Sequence, residues 1–123
     1  MRFLLDTHVV VWWLQDLPLT AEARSAIADA ELAYASLASA WEVSIKVGAG
    51  KLRLPAPFEE GIRASGFTAL PITFAHTEAY TRLPRHHGDP FDRMLVAQAQ
   101  VERLTLVTRV RALAPYGVPI LWA

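Results

Sequence analysis

The sequence predicts an α/β fold in which a short parallel sheet is sandwiched between layers of helices. Three observations predict it. Short apolar runs alternate with longer stretches of helical character along the whole chain. The first run, Arg2–Leu5, is mostly apolar and stops at Asp6, as a buried parallel strand does at the carboxyl edge of a sheet. No linker, repeat or low-complexity segment interrupts the 123 residues, so a single domain over 1–123 is expected.

The elements follow in order. After the Arg2–Leu5 strand, Thr7–Leu14 is bulky on all sides and suits a well-covered helix, with its β-branched valines making a strand the rival. Leu17-Pro18 breaks that pattern. Thr20 caps a helix running to about Ala30, and Leu32–Ser36 is a second strand. Ser39 is placed to cap the next helix, through about Val47, with Glu42 three residues on completing a capping box. Gly48 and Gly50 end it. A helix over Phe58–Ala64, a strand over Thr68–Leu70 and a helix over Phe74–Arg82 come next. Asp89–Arg103 is a long amphipathic helix. Leu104–Val107 and Pro119–Leu121 are the last strands.

Composition narrows the function classes. Twelve basic residues balance twelve acidic ones, which argues against a protein that coats nucleic acid but leaves room for an acidic pocket with a basic rim. The absence of cysteine excludes a disulfide scaffold and a thiolate zinc site. The first residues do not read as a secretory signal, and Val9–Leu14 is too short to span a bilayer, so a cytoplasmic protein with no membrane partner is expected.

Acids at element ends carry the candidate chemistry. Asp6 stands where open α/β sheets place functional groups, and can equally cap the helix that follows. Glu42 fits a capping box, an i,i+4 pair with Lys46, or a ligand. In Asp89-Pro90-Phe91-Asp92, Asp89 fits the N-cap, Pro90 the first helical position and Asp92 the third, where an acid is favoured by the dipole. Together, Asp6, Glu42 and Asp92, with Asp89 beside them, make an oxygen-rich set of the kind that binds Mg²⁺ or Mn²⁺ and hydrolyses phosphodiesters. An aspartyl-nucleophile phosphatase is a weaker fit, since His8 stands where a second acid is wanted. No Gly-x-Ser-x-Gly elbow supports serine hydrolysis.

These residues also resemble a family. Phe3-Leu4-Leu5-Asp6-Thr7-His8, Ser39-Ala40-Trp41-Glu42-Val43 and His87-Gly88-Asp89-Pro90-Phe91-Asp92-Arg93 resemble, in order, the acidic motifs of PIN-domain toxins, the ribonuclease half of VapBC-type pairs. Leu104–Thr108 and Tyr116–Trp122 resemble that family's tail. The resemblance implies an α/β/α sandwich and a Mg²⁺- or Mn²⁺-dependent endoribonuclease that cleaves cellular RNA. It further implies a cognate antitoxin covering the site, and a homodimer. By it, Asp6, Glu42 and Asp92 are catalytic, Asp6 and Asp92 hold the metal, and Asp89, Thr7, Ser39 and Thr108 support them.

The chain departs from the pattern at one position. Where the family places a fourth acid, two residues past Thr108, this chain has Val110. A weakened site is therefore expected, and a silent module that binds antitoxin or RNA is the competing reading. Among the basic residues, Arg93, Lys46 and Arg109 are the candidates for RNA phosphate contacts. Adjacent His86 and His87 make a weak metal ligand set without a third partner. Trp12, Trp13 and Trp41 lie in apolar segments, where packing is the commoner role for an indole.

Overall fold

In a computed structural model that describes residues 1–123, every strand predicted from the sequence is present, and all five join one parallel sheet. The elements are β1 (Arg2–Leu5), α1 (Thr7–Leu14), α2 (Ala21–Ala28), β2 (Leu32–Ser36), α3 (Leu37–Gly48), α4 (Phe58–Ala64), β3 (Thr68–Leu70), α5 (Phe74–Thr81), α6 (Pro90–Glu102), β4 (Thr105–Thr108) and β5 (Ile120–Trp122). The strand order is β3-β2-β1-β4-β5, with β1 at the centre.

Alternation along β1 divides the interior into two cores. Phe3 and Leu5 face one side, where Val9, Val10, Ile27, Ile62 and Phe67 bring in α1, α2, α4 and the approach to β3. Leu4 faces the other, against Ala79, Leu83, Leu95, Val96 and Ala99 of the α5–α6 layer. Burial on both faces explains why the strands are apolar runs rather than alternating ones. It also settles Thr7–Leu14 as a helix: Asp6 caps it, accepting from the His8 N–H at 2.8 Å, and Val9, Val10 and Val11 are all buried.

Two expectations need correction. The cap of α3 is Ser36, not Ser39: the Ser36 hydroxyl accepts from the Ala38 N–H at 3.0 Å, and the helix begins at Leu37 with no linker after β2. Ser39 therefore lies inside the first turn, fully buried, and Glu42 is not part of a capping box. A 3₁₀ segment over Arg111–Tyr116, between β4 and β5, was not legible in the sequence.

Candidate active site

The chain runs outward from β1 to β2 and β3 on one side and returns to β4 and β5 on the other, so the order reverses between β1 and β4. A crevice opens outside the strand ends at such a switch point. Leu5 pairs with Val107, and the Asp6 N–H donates to the Val107 carbonyl at 2.9 Å. Asp6 and Thr108 are thus neighbours at the carboxyl edge. The Thr108 hydroxyl donates to Asp6 Oδ2 at 2.6 Å and accepts from the Val110 N–H at 3.0 Å. Asp6 is 1% exposed and is fixed at both oxygens.

Asp92 approaches from the start of α6. Asp89 caps this helix, accepting from the N–H groups of Phe91 (2.8 Å) and Asp92 (3.2 Å), with Pro90 in the first turn, as the sequence predicted. Asp92 is buried, and its carboxyl is pushed up to about 6. Burial is the main cause and the Asp6 charge the next, while a hydrogen bond from His87 Nε2 at 2.9 Å pulls the other way.

Glu42 enters from α3. One oxygen lies 3.2 Å from Lys46 Nζ, the i,i+4 partner; the other, Oε1, is buried with no hydrogen-bond partner. The hydroxyls of Thr7 and Ser39 meet at 2.7 Å, tying the start of α1 to α3. His8 sits between these acids. Its pKa is raised by the Asp6 carboxylate 3.7 Å away, with Glu42 adding to the rise and burial and Lys46 opposing it.

No three of the His, Asp and Glu side chains lie close enough together to form a ready ligand cage for a metal ion, so the close convergence of all three acids expected from the sequence is not met. Each acid has its own partners instead: Asp6 has Thr108 and His8, Asp92 has His87, and Glu42 has Lys46. This arrangement still fits Mg²⁺, which is usually bound through one or two carboxylates and keeps several waters and substrate phosphates. The buried Asp6 and Asp92 carboxylates and the unpartnered Glu42 Oε1 supply hard oxygen donors of the kind such a cation takes.

The basic candidates separate. Lys46 remains at the site, beside Glu42. Arg93 is turned inward: its Nη1 donates to the Pro84 carbonyl (3.0 Å) and the Tyr116 hydroxyl (3.1 Å), and its guanidinium stacks on Tyr80. It holds the loop before α6 and is not presented to a phosphate. Arg109 is spent on the carbonyls of Ala123 (2.8 Å) and Pro18 (2.9 Å) and on the face of Trp12.

Two residues gain importance that the sequence reading did not give them. His87 bonds Asp92 directly. Tyr116 accepts from the backbone N–H groups of His86 (3.2 Å) and His87 (3.1 Å), so it sets the loop that delivers His87. The polar run at 84–88 signals a loop, but nothing local signals a tyrosine 29 residues away as its anchor.

A PIN domain family model matches residues 3–114. The chain belongs to the PIN domain family. Several solved structures share this PIN fold over nearly the full length of both chains. A chain of VapBC2 from Rickettsia felis, bound to a DNA fragment from their promoter, superposes with a TM-score of 0.74 at 15% identity, covering 99% of this chain and 98% of that one. A chain of DNA-bound VapBC from Salmonella typhimurium gives 0.74 at 17% identity, with the same coverage. FitAcB from Neisseria gonorrhoeae gives 0.66 at 20% identity, covering 97% and 96%. At such identities the likeness is one of fold. No curated protein matches the chain by sequence.

The elevated Asp92 carboxyl of this PIN domain has a measurable consequence. A carboxyl whose folded pKa is raised retains in the native state a proton that the unfolded chain releases. Its contribution to stability is full below the unfolded pKa and is lost as pH rises through about 6. A bound divalent cation favours the ionised form and reverses the loss. Millimolar Mn²⁺ is therefore expected to raise the melting temperature clearly at about pH 7.5 and hardly at about pH 5. An equal rise at both values would show that the cation binds elsewhere.

Proposed function

We propose that this PIN domain is a metal-dependent endoribonuclease, the toxin of a toxin–antitoxin pair. The observation that carries the reading is that two buried carboxyls, Asp6 at the carboxyl edge of β1 and Asp92 in the first turn of α6, lie near enough for the Asp6 charge to act on Asp92, whose carboxyl burial pushes up to about 6. A nuclease of this kind uses a divalent cation to lower the pKa of an attacking water and to screen the scissile phosphate.

The chain's own residues have distinct tasks in this reading. Asp6, oriented by Thr108 and the His8 N–H, and Asp92, oriented by His87, would hold Mg²⁺ or Mn²⁺. Glu42, through its unpartnered Oε1, would accept a hydrogen bond from the attacking water or from substrate. Asp89 aligns the helix that carries Asp92. The Thr7–Ser39 hydroxyl pair fixes the spacing of Asp6 and Glu42.

An antitoxin partner belongs to the same reading, because structures with this fold include complexes described as toxin–antitoxin and VapBC. Leu37, Trp41 (64% exposed) and Ile45 form an uncovered i, i+4, i+8 stripe on α3, which supports a macromolecular contact beside the site, with antitoxin or with a second copy in a homodimer. The site of action is proposed to be the cytoplasm, where its RNA substrate is; no helix is long and apolar enough to cross a membrane.

Purified chain incubated with structured RNA should produce internal cuts with Mn²⁺ or Mg²⁺ and none with EDTA. Cleavage that persists in EDTA would overturn the metal-dependent reading. Val110 favours a second reading, a PIN module that binds antitoxin or RNA without cutting. RNA binding with no cleavage under any divalent cation would establish it.

A further inference from the structure

Beside the acids, a cavity of about 310 Å³ opens between α1 and the C-terminal end of α3. His8, Trp12, Gln15, Lys46 and Lys51 are among its lining residues, none of which is acidic. Resting on the nuclease reading above, we propose that this cavity is a phosphodiester-binding subsite that takes the RNA backbone next to the cleaved bond, with Lys46 and Lys51 as its cations.

Backbone geometry builds the subsite. Gly50 adopts a left-handed conformation (φ +72°) just past the end of α3, which reverses the chain. The Gly50 N–H then returns to the Val47 carbonyl at 3.1 Å and the Lys51 N–H to the Lys46 carbonyl at 2.9 Å. This turn brings Lys51 back to the helix end that bears Lys46, and both side chains line the same cavity. Across the opening, the Gln15 amide donates to the Arg53 carbonyl at 2.9 Å and pins the lysine-bearing loop to α1.

The aromatic wall decides between backbone and base. Trp12 has the Arg109 guanidinium 4.3 Å from its ring centre, and the His8 ring lies 5.7 Å away and tilted. With these neighbours in place the indole is not an open stacking platform of the kind single-strand binders offer to bases. What the cavity presents is the Lys51 ammonium beside a Lys46 ammonium shared with Glu42, and no acid in its lining, which suits a phosphate. Its place matters too. Asp6 and Glu42 border it through His8 and Lys46, so a strand entering the acidic crevice meets compensating charge one step away. Arg93 and Arg109 are committed to the fold and Lys46 is shared with Glu42, which leaves Lys51 as the cation here without an acidic partner.

The test uses the full chain carrying Asp6→Asn, so that RNA stays intact, and reads the anisotropy of a labelled single-stranded RNA over a salt series. Adding Lys51→Ala should weaken binding about fivefold at low salt and lower the slope of log Kd against log salt by about 0.7, the mark of one lost phosphate contact on a single strand. Lys51→Arg should restore both. Arg63→Ala, which removes a cation paired with Glu59 on α4, should change neither. Unchanged affinity and slope in Lys51→Ala, with the Asp6→Asn chain still binding RNA, would overturn the subsite and leave the nuclease reading standing. Calorimetry with inorganic phosphate distinguishes the other source: Lys51-dependent phosphate binding without Lys51-dependent RNA binding also overturns the proposal. If the Asp6→Asn chain binds no RNA at all, subsite and nuclease reading fall together.

Discussion

Asp6→Asn is expected to reduce metal-dependent RNA cleavage by about 10²–10⁴-fold, since a lost metal-binding carboxylate removes several kcal/mol of transition-state stabilisation and each 1.36 kcal/mol is a factor of ten. The same substitution should leave the fold intact. Asn is nearly isosteric with Asp, and its remaining oxygen can still accept from the His8 N–H that caps α1. It also removes the charge that faces Asp92, so the Asp92 carboxyl should drop from about 6 toward the ordinary aspartate range. The chain without metal should therefore be as stable as the parent at neutral pH, or more so, and should lose its melting-temperature response to Mn²⁺. Thermal denaturation with and without metal, beside the cleavage assay, checks all three. An Asp6→Asn chain that cuts RNA at the parental rate would sink the assignment of this acid.

Val110→Asp is expected to raise cleavage at least about tenfold and to tighten Mn²⁺ binding, because a carboxylate there adds a hard oxygen donor beside the acids. The position is well connected. The Val110 N–H bonds the same Thr108 hydroxyl that holds Asp6. Val110 is also the N-cap of the 3₁₀ segment and supplies no side-chain cap. An aspartate would supply one, which offsets the loss of roughly 1 kcal/mol from the apolar contacts that half-buried Val110 makes with the α5–α6 core. Cleavage kinetics and Mn²⁺ titration of the two chains give the answer. No gain in either would mean that the valine does not limit the site.

The sequence made the fold legible where local chemistry and burial agree. Asp89-Pro90 marks a helix start by cap and ring geometry alone, and α6 begins there. Phe3–Leu5 is apolar at every position, because both faces of β1 are covered. The misreading at Ser39 came from two serines three residues apart, each a competent cap; only the end of β2 at Ser36 decides between them. The acids of the site were legible as residue types at element ends. Their pairing was not, since Asp6 and Thr108 are 102 residues apart and meet only through the β1–β4 register. Arg93 misled for a related reason. A charge next to a catalytic candidate reads as a substrate contact until the tertiary fold supplies Tyr80 and Tyr116 to absorb it.

The Tyr116 anchor has a bearing on how this PIN domain is assembled. While the chain is being synthesised, α6 can form as soon as residue 102 has emerged, yet the segment that clasps His86 and His87 is still to come. Thr108, which steadies Asp6, arrives late as well. A nascent chain therefore carries its acids in an unassembled corner until the segment through Tyr116 has docked.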